Sequence, residues 1–312
     1  MRIVFFGTGE FGLSALKRLM NSEYDLAAVV TQPDKKKGRG MGVHPTSVKA
    51  LVESAMPGTD VLQPEELGDD FMADIKRLDA DVFVAVDYGK ILPVSVLDVP
   101  KRYCINLHPS LLPKYRGSSP INQAILNGDA VTGNTVISMN ERMDAGDILL
   151  QEEVSIGKRE DAPGLFSKLS AHGGELMIKT LDMISAGEEK LIVQEEKDVS
   201  YAPKLKKTDG EIDWTRAADE IDRKVRGLKP WPGAFTYING KMLKIIETEP
   251  VFDIKSVKPA GTILINEKGL FVYASDKPIC IKTLQLEGKR TMTSEEFLRV
   301  YPRKDGRMLG NV

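Results

Sequence analysis

The stretch CINLHPSLLPKYRG places a carboxamide, Asn106, and an imidazole, His108, two residues apart at the end of an apolar run. In a strand, residues i and i+2 share a face, so both side chains aim at one point. Pro109 ends the run, because proline cannot donate to a sheet ladder. An amide and an imidazole converging on one point can polarise a carbonyl and stabilise an oxyanion. Further along, Asp144 stands in MDAGDIL before another apolar run, where a carboxylate can face the same place. Asp ahead of Ala-Gly is equally a plain turn former, and spacing alone leaves both readings open. A lone strand-end histidine is commonly satisfied by a backbone carbonyl. The neighbouring Asn106 and the proline-braced loop that follows favour chemistry at His108.

The elements that must position these residues are legible in the hydrophobic pattern. RIVFF, LAAVVT, ADVFVAV and CINLH read as strands. FGLSALKRLM, TSVKALVESAM, DDFMADIKRL and SPINQAILNG read as helices, the last closed by Gly128. Continuous apolar strands alternating with helices predict an α/β class with a mostly parallel, Rossmann-like doubly wound sheet. In such sheets ligands bind beyond the strands' carboxyl ends, which is where Asn106 and His108 fall. NTVISMN and DILLQEEVSI predict an antiparallel edge, and a long amphipathic helix then closes the domain. These expectations give a first domain at 1–187, a polar linker at 188–207 and a second domain at 208–312. The last opens on the helical WTRAADEIDRKVRGL and continues with hairpins at Asn239-Gly240 and at Glu267 to Gly269 and a fifth strand. Five short strands predict a small OB-like β-barrel.

Bulk properties narrow the function. A chain of 312 residues with net charge −2 presents no global field for a polyanion, so nucleic acid must be met by local basic clusters. Lys35, Lys36, Lys37 and Arg39 in TQPDKKKGRG form such a cluster; the alternative is a solvated loop. Cys104 and Cys280 lie far apart, and the three histidines are scattered, so neither a disulfide framework nor a metal centre is expected. The opening residues carry no signal-peptide pattern and no stretch reaches the ~20 apolar residues of a membrane span, so the cytoplasm is the expected compartment. GTGEFG (7–12) matches the dinucleotide fingerprint. That fingerprint requires an acidic residue closing the second strand; here Thr31 and Gln32 stand there and Asp34 falls beyond a proline. NAD is therefore not expected.

NLHPSLLPKYRGSSPINQAI followed by MDAGDIL resembles the folate-dependent formyltransferases, which share Asn-x-His on a strand, an S-L-L-P loop and a later Asp. The core likeness spans about residues 80 to 150. TQPDKKKGRG, YGKILP, YAPKL and IDW extend it along essentially the whole chain. The resemblance implies a catalytic first domain using Asn106, His108 and Asp144. It implies 10-formyltetrahydrofolate as donor, held by Tyr88, Ile91, Leu92, Ser110, Leu111, Leu112 and Pro113. As acceptor it implies the α-amino group of methionine on initiator tRNA, met by Lys35, Lys36, Lys37, Arg39 and the barrel. No metal and a monomer are expected. The chain departs from the family pattern at Asp87, where a small apolar residue is usual, and at Gly9 and Gly12, where proline and a small residue are usual. Three alternatives remain: a small amine acceptor such as an amino sugar or glycinamide ribonucleotide, an NAD-dependent oxidoreductase, and a non-catalytic RNA-binding protein.

Overall fold

The computed structural model describes residues 1–37, 42–251, 257–300 and 308–310, without the side chains of Lys36 and Lys37. Chain contacts divide it into two compact units, one of residues 1–120, 131–155 and 166–202, the other of residues 121–130, 156–165 and 203–312.

In chain order the first part holds β1 (Arg2–Gly7), α1 (Leu13–Met20), β2 (Asp25–Val30), β3 (Lys35–Lys37), β4 (Gly42–His44), α2 (Ser47–Ala55), β5 (Asp60–Leu62), α3 (Asp69–Arg77), β6 (Val82–Val86), α4 (Val94–Leu97), β7 (Tyr103–His108), α5 (Pro120–Asn127), β8 (Val131–Ser138), β9 (Ile148–Ser155) and α6 (Ala162–Ala186). Seven of the strands form one sheet in the order β5-β2-β1-β6-β7-β8-β9. The first five are parallel, and β8 and β9 add an antiparallel edge. This is the mixed sheet the sequence predicts. Burial explains the uninterrupted apolar strands: Ile3 to Phe6 and Val82 to Val84 are fully buried. Helices keep one apolar stripe, Ala15, Leu16 and Leu19 on α1, Phe71 and Ile75 on α3.

The topology sets the site. The chain winds from β1 outward through β2 to β5, then returns to β6 on the other side of β1. Such a reversal opens a crevice beyond the carboxyl ends of the two central strands. Gly7 pairs with Val86 and Ala85 with Asn106, so β1, β6 and β7 end together on that lip. The basic segment departs from its expected loop form: Lys35 to Lys37 and Gly42 to His44 pair as a short hairpin.

The second unit contains α7 (Ala218–Gly227), β10 (Ala234–Ile238), β11 (Lys241–Pro250), β12 (Ile263–Asn266), β13 (Gly269–Tyr273), β14 (Pro278–Leu286), β15 (Met292–Thr293) and α8 (Ser294–Val300). Its antiparallel sheet runs β10-β11-β14-β13-β12, with β15 on β14. Leu309 donates to Gly261 O (2.8 Å) beside β12, and Gly310 donates to Tyr237 O (3.1 Å) on β10. Residues 308–310 thus tie the two edge strands together, as a barrel requires. Ile221, Val225, Leu243, Val272, Ile279, Ile281 and Leu284 fill its core.

Candidate active site

β7 delivers His108 to the lip with 4% of its surface exposed. Its Nε2 lies 3.0 Å from the Tyr115 carbonyl. A carbonyl only accepts, so Nε2 carries the hydrogen and the neutral ring presents Nδ1 as its free lone pair. Nδ1 faces Asp144 Oδ1 at 3.6 Å, beyond direct hydrogen-bond range but close enough for a strong charge interaction. Burial pushes the His108 pKa below its usual value, against the opposing pulls of the Asp144 charge and the Tyr115 carbonyl. The resting imidazole is therefore neutral, with Asp144 placed to stabilise it once protonated. Asn106, half-buried on the same face of β7, makes no side-chain hydrogen bond among the described residues, leaving its amide hydrogens for a ligand.

Asp144 reaches this point from the turn between β8 and β9, in the left-handed backbone region with φ 52°. Its Oδ2 accepts from the Gly117 amide at 2.8 Å. Gly117 has φ 120°, and a Cβ there would come within 2.6 Å of the Ala202 carbonyl. Only glycine fits both constraints. The loop after His108 thus curls back so that its own backbone holds the carboxylate opposite the imidazole.

The residues expected to hold folate take different positions. Ile91 is 76% exposed, and Leu111 and Pro113 are half-buried; these three side chains can touch a ligand. Leu92 and Leu112 are buried in apolar clusters. Ser110 is fully buried and donates to the Lys114 carbonyl (2.6 Å). The Tyr88 ring packs edge-on against Phe6 in the core, and its carbonyl accepts from Thr8 Oγ1 and Gln32 Nε2, both at 2.9 Å. Lys35 is exposed and donates to Gln32 Oε1 (2.8 Å). Arg39 and the side chains of Lys36 and Lys37 lie outside the described residues.

The unusual glycine turn and the unusual carboxylate prove to be neighbours. Thr8 and Gly9 both donate backbone hydrogen bonds to the Asp87 carbonyl, at 3.1 and 3.3 Å. A Cβ on Gly9 would overlap the Asp87 carboxylate. Asp87 is solvent-accessible, has φ 51° and is held by the Phe11 amide. Desolvation of the carboxylate nevertheless pushes its pKa above the usual value, against the lowering pull of the Phe11 amide.

Three residues near the pair receive no role from the sequence, although Arg116 and Gly117 close the stretch that carries His108. Arg116, 4% exposed, and Gln194, 6% exposed, hydrogen-bond each other behind Asp144, and Gly117 holds its carboxylate. Gln194 lies in the polar stretch that reads as linker, yet residues 190–202 pack within the first unit. Ile192 bridges Ile148 at the start of β9, and Tyr201 bridges Arg116.

The protonation state of the pair is measurable. With only three histidines in the chain, NMR titration should show His108 charging at lower pH than a model imidazole, about 6.5. Asp144→Asn should lower it further by removing the charge that favours the imidazolium. The linked effect on stability has a definite sign: the unfolded chain takes up this proton first, so stability falls as pH drops below about 6.5 towards the folded value. Titration of His108 at or above the ordinary value would contradict the geometry.

Fold and site define an α/β enzyme with a group-transfer crevice at the carboxyl edge of a parallel sheet. Residues 1–181 match the family described as Formyl transferase, and residues 204–302 match Formyl transferase, C-terminal domain. The chain belongs to the formyl transferase family. It is 44% identical to the methionyl-tRNA formyltransferase of Caldanaerobacter subterraneus over 96% of both chains. It is 41% identical to that of Geobacter sulfurreducens over 99% of this chain and 97% of the other. Among solved structures, a sugar 3N-formyl transferase, WlaRD, matches with TM-score 0.70 at 17% identity, covering 93% of this chain and 99% of its own. That last likeness is one of fold.

Proposed function

We infer that this protein transfers a formyl group from 10-formyltetrahydrofolate to the α-amino group of the methionine carried by initiator tRNA, the step that prepares this tRNA for translation initiation. One observation carries the reading: a buried neutral imidazole, a carboxylate 3.6 Å away and a carboxamide with no side-chain hydrogen bond among the described residues lie at one lip, in a chain that matches methionyl-tRNA formyltransferases over 96–99% of its length. No described helix is long and apolar enough to cross a membrane, and the reading includes a monomeric, cytoplasmic enzyme.

The folate supplies an activated formyl group. The protein's own residues do the rest. As the neutral amine adds to the formyl carbon, the carbonyl oxygen gains charge. The Asn106 amide donates to that oxygen, an interaction stronger in the transition state than before it. Nδ1 of His108 takes the proton the amine must lose, and Asp144 stabilises the resulting imidazolium. Collapse breaks the bond to the folate nitrogen, and the same proton passes to that nitrogen, so the imidazole returns to its starting state. Side chains of Ile91, Leu111 and Pro113, with the backbone around Leu92 and Ser110, are assigned to the flat folate ring.

The basic hairpin and the C-terminal unit are assigned to RNA. Lys36→Ala and Arg39→Ala should each raise the KM for charged tRNA. Each should also flatten the dependence of log KM on log salt by about one counterion. A salt dependence identical to that of the unaltered protein would remove the hairpin from the RNA interface. The acceptor itself is tested by offering methionyl-initiator tRNA, an amino sugar nucleotide and glycinamide ribonucleotide with the same donor. Turnover of a small amine without formylation of the tRNA would overturn the assignment.

A further inference from the structure

Three atoms of Asp144 meet neighbours: Oδ1 faces His108 and Oδ2 accepts from Gly117. The third is its backbone carbonyl, which accepts from Gln194 Nε2 at 2.9 Å. The same nitrogen donates its other hydrogen to the Gly146 carbonyl at 2.7 Å. Gln194 Oε1 in turn accepts from Arg116 Nε (3.0 Å) and Nη2 (2.9 Å). This leaves no ambiguity in the amide's orientation: a guanidinium only donates and a carbonyl only accepts. Every hydrogen-bonding position of the buried Gln194 head is therefore used, and the two carbonyls it grips flank Ala145 in the catalytic turn.

We propose that Arg116 and Gln194 form a positioning clamp that sets where the Asp144 carboxylate stands relative to His108. The proposal rests on the formyl-transfer reading above, and Gln194 touches no reacting atom. Its physical basis is the backbone at Asp144. A φ of 52° is an uncommon conformation for a side-chain-bearing residue, and neighbouring contacts must hold it. The clamp supplies such contacts from the main-chain side. Arg116 adds rigidity through its own backbone: its amide donates to Ser200 O (2.9 Å) and its carbonyl accepts from Ala202 N (2.8 Å). Arg116 immediately precedes Gly117, the residue that holds the Asp144 carboxylate. One short segment, 192–202, therefore locks both ends of the contact.

The side-chain amide is specifically required. In Gln194→Glu the oxygen replacing Nε2 would face two carbonyl oxygens with no hydrogen to offer, so matched volume does not rescue the function. Gln194→Ala and Gln194→Met should lower kcat by about 10- to 100-fold, the scale of a small misplacement at a reacting centre, with KM for both substrates within about twofold. In both variants the His108 titration should move down, towards its position in Asp144→Asn, because the displaced carboxylate no longer supports the imidazolium. A merely structural residue would lower the melting temperature without moving that titration. Gln194→Met keeps the volume if the alanine variant folds poorly. An unchanged kcat and an unchanged His108 titration in Gln194→Met overturn the clamp. If Asp144→Asn also turns over normally, the assigned role of Asp144 fails instead, so the two failures are distinguishable.

Discussion

Replacing His108 by alanine is expected to lower kcat for formyl transfer by about 10²- to 10⁴-fold, the usual range for a positioned acid–base group. His108→Gln should not rescue it, because an amide cannot take the proton from the attacking amine. The loss should fall on kcat more than on KM, since the role proposed for the imidazole is to take a proton that the amine loses only after binding. Asp144→Asn should cost a comparable amount while leaving the Gly117 contact geometrically possible. Single-turnover assays on charged tRNA would separate chemistry from product release. Removing the ring also removes its hydrogen bond to the Tyr115 carbonyl, at about 0.5–1.5 kcal/mol. Thermal melts must therefore accompany the kinetics. Near-normal turnover by a folded His108→Ala protein would refute the mechanism.

The largest effect on stability is expected at Asp222, a residue with no assigned part in the chemistry. This carboxylate is 3% exposed and sits on α7 in the second unit. It accepts from Arg159 Nη1 at 2.8 and 2.7 Å, from Arg226 Nε at 2.8 Å and from Thr248 Oγ1 at 2.8 Å. Arg226 is itself only 12% exposed. Asp222→Ala would leave the mostly buried Arg226 guanidinium without its carboxylate, with only the Glu160 carbonyl still accepting from Nη1, and breaking a buried pair from one side costs about 3–5 kcal/mol. Asp222→Asn keeps acceptors for part of the network and should cost less. Denaturant unfolding of the full chain, followed by the fluorescence of Trp214 in the core of the same unit, is the measurement. A loss under about 1 kcal/mol in the alanine variant would mean that water replaces the carboxylate freely.

What the sequence reveals divides along physical lines. Asn106 and His108 are readable because strand periodicity alone puts them on one face. The parallel sheet and its antiparallel edge are readable because full burial demands unbroken apolar runs. Asp144 is only half readable: its type and turn are visible, but its approach to His108 depends on how the β8–β9 connection and the loop to Gly117 fold together. Gln194 is unreadable by the same means. Its segment is held by bridges at Ile192 and Tyr201 and by side-chain hydrogen bonds, and Leu191, Ile192 and Val193 in it are exposed. Hydrophobic periodicity, the main signal of burial, is therefore silent there, and polar composition mimics a linker. Tyr88 is the converse case: its residue type suggests a ligand contact, but its ring packs in the core and its carbonyl accepts from Thr8 and Gln32.

The contact between Gly9 and Asp87 couples the two positions. The volume a side chain at position 9 would occupy is already filled by the carboxylate at position 87. The two sites are thus epistatic, and the order of substitution matters. Shortening residue 87 first vacates the space and leaves a viable intermediate; adding a side chain at position 9 first drives the Asp87 carboxylate off the Phe11 amide. The overlap falls wholly on the Asp87 side chain, so a rotation of that carboxylate away from the Phe11 amide is what a residue larger than glycine at position 9 would require.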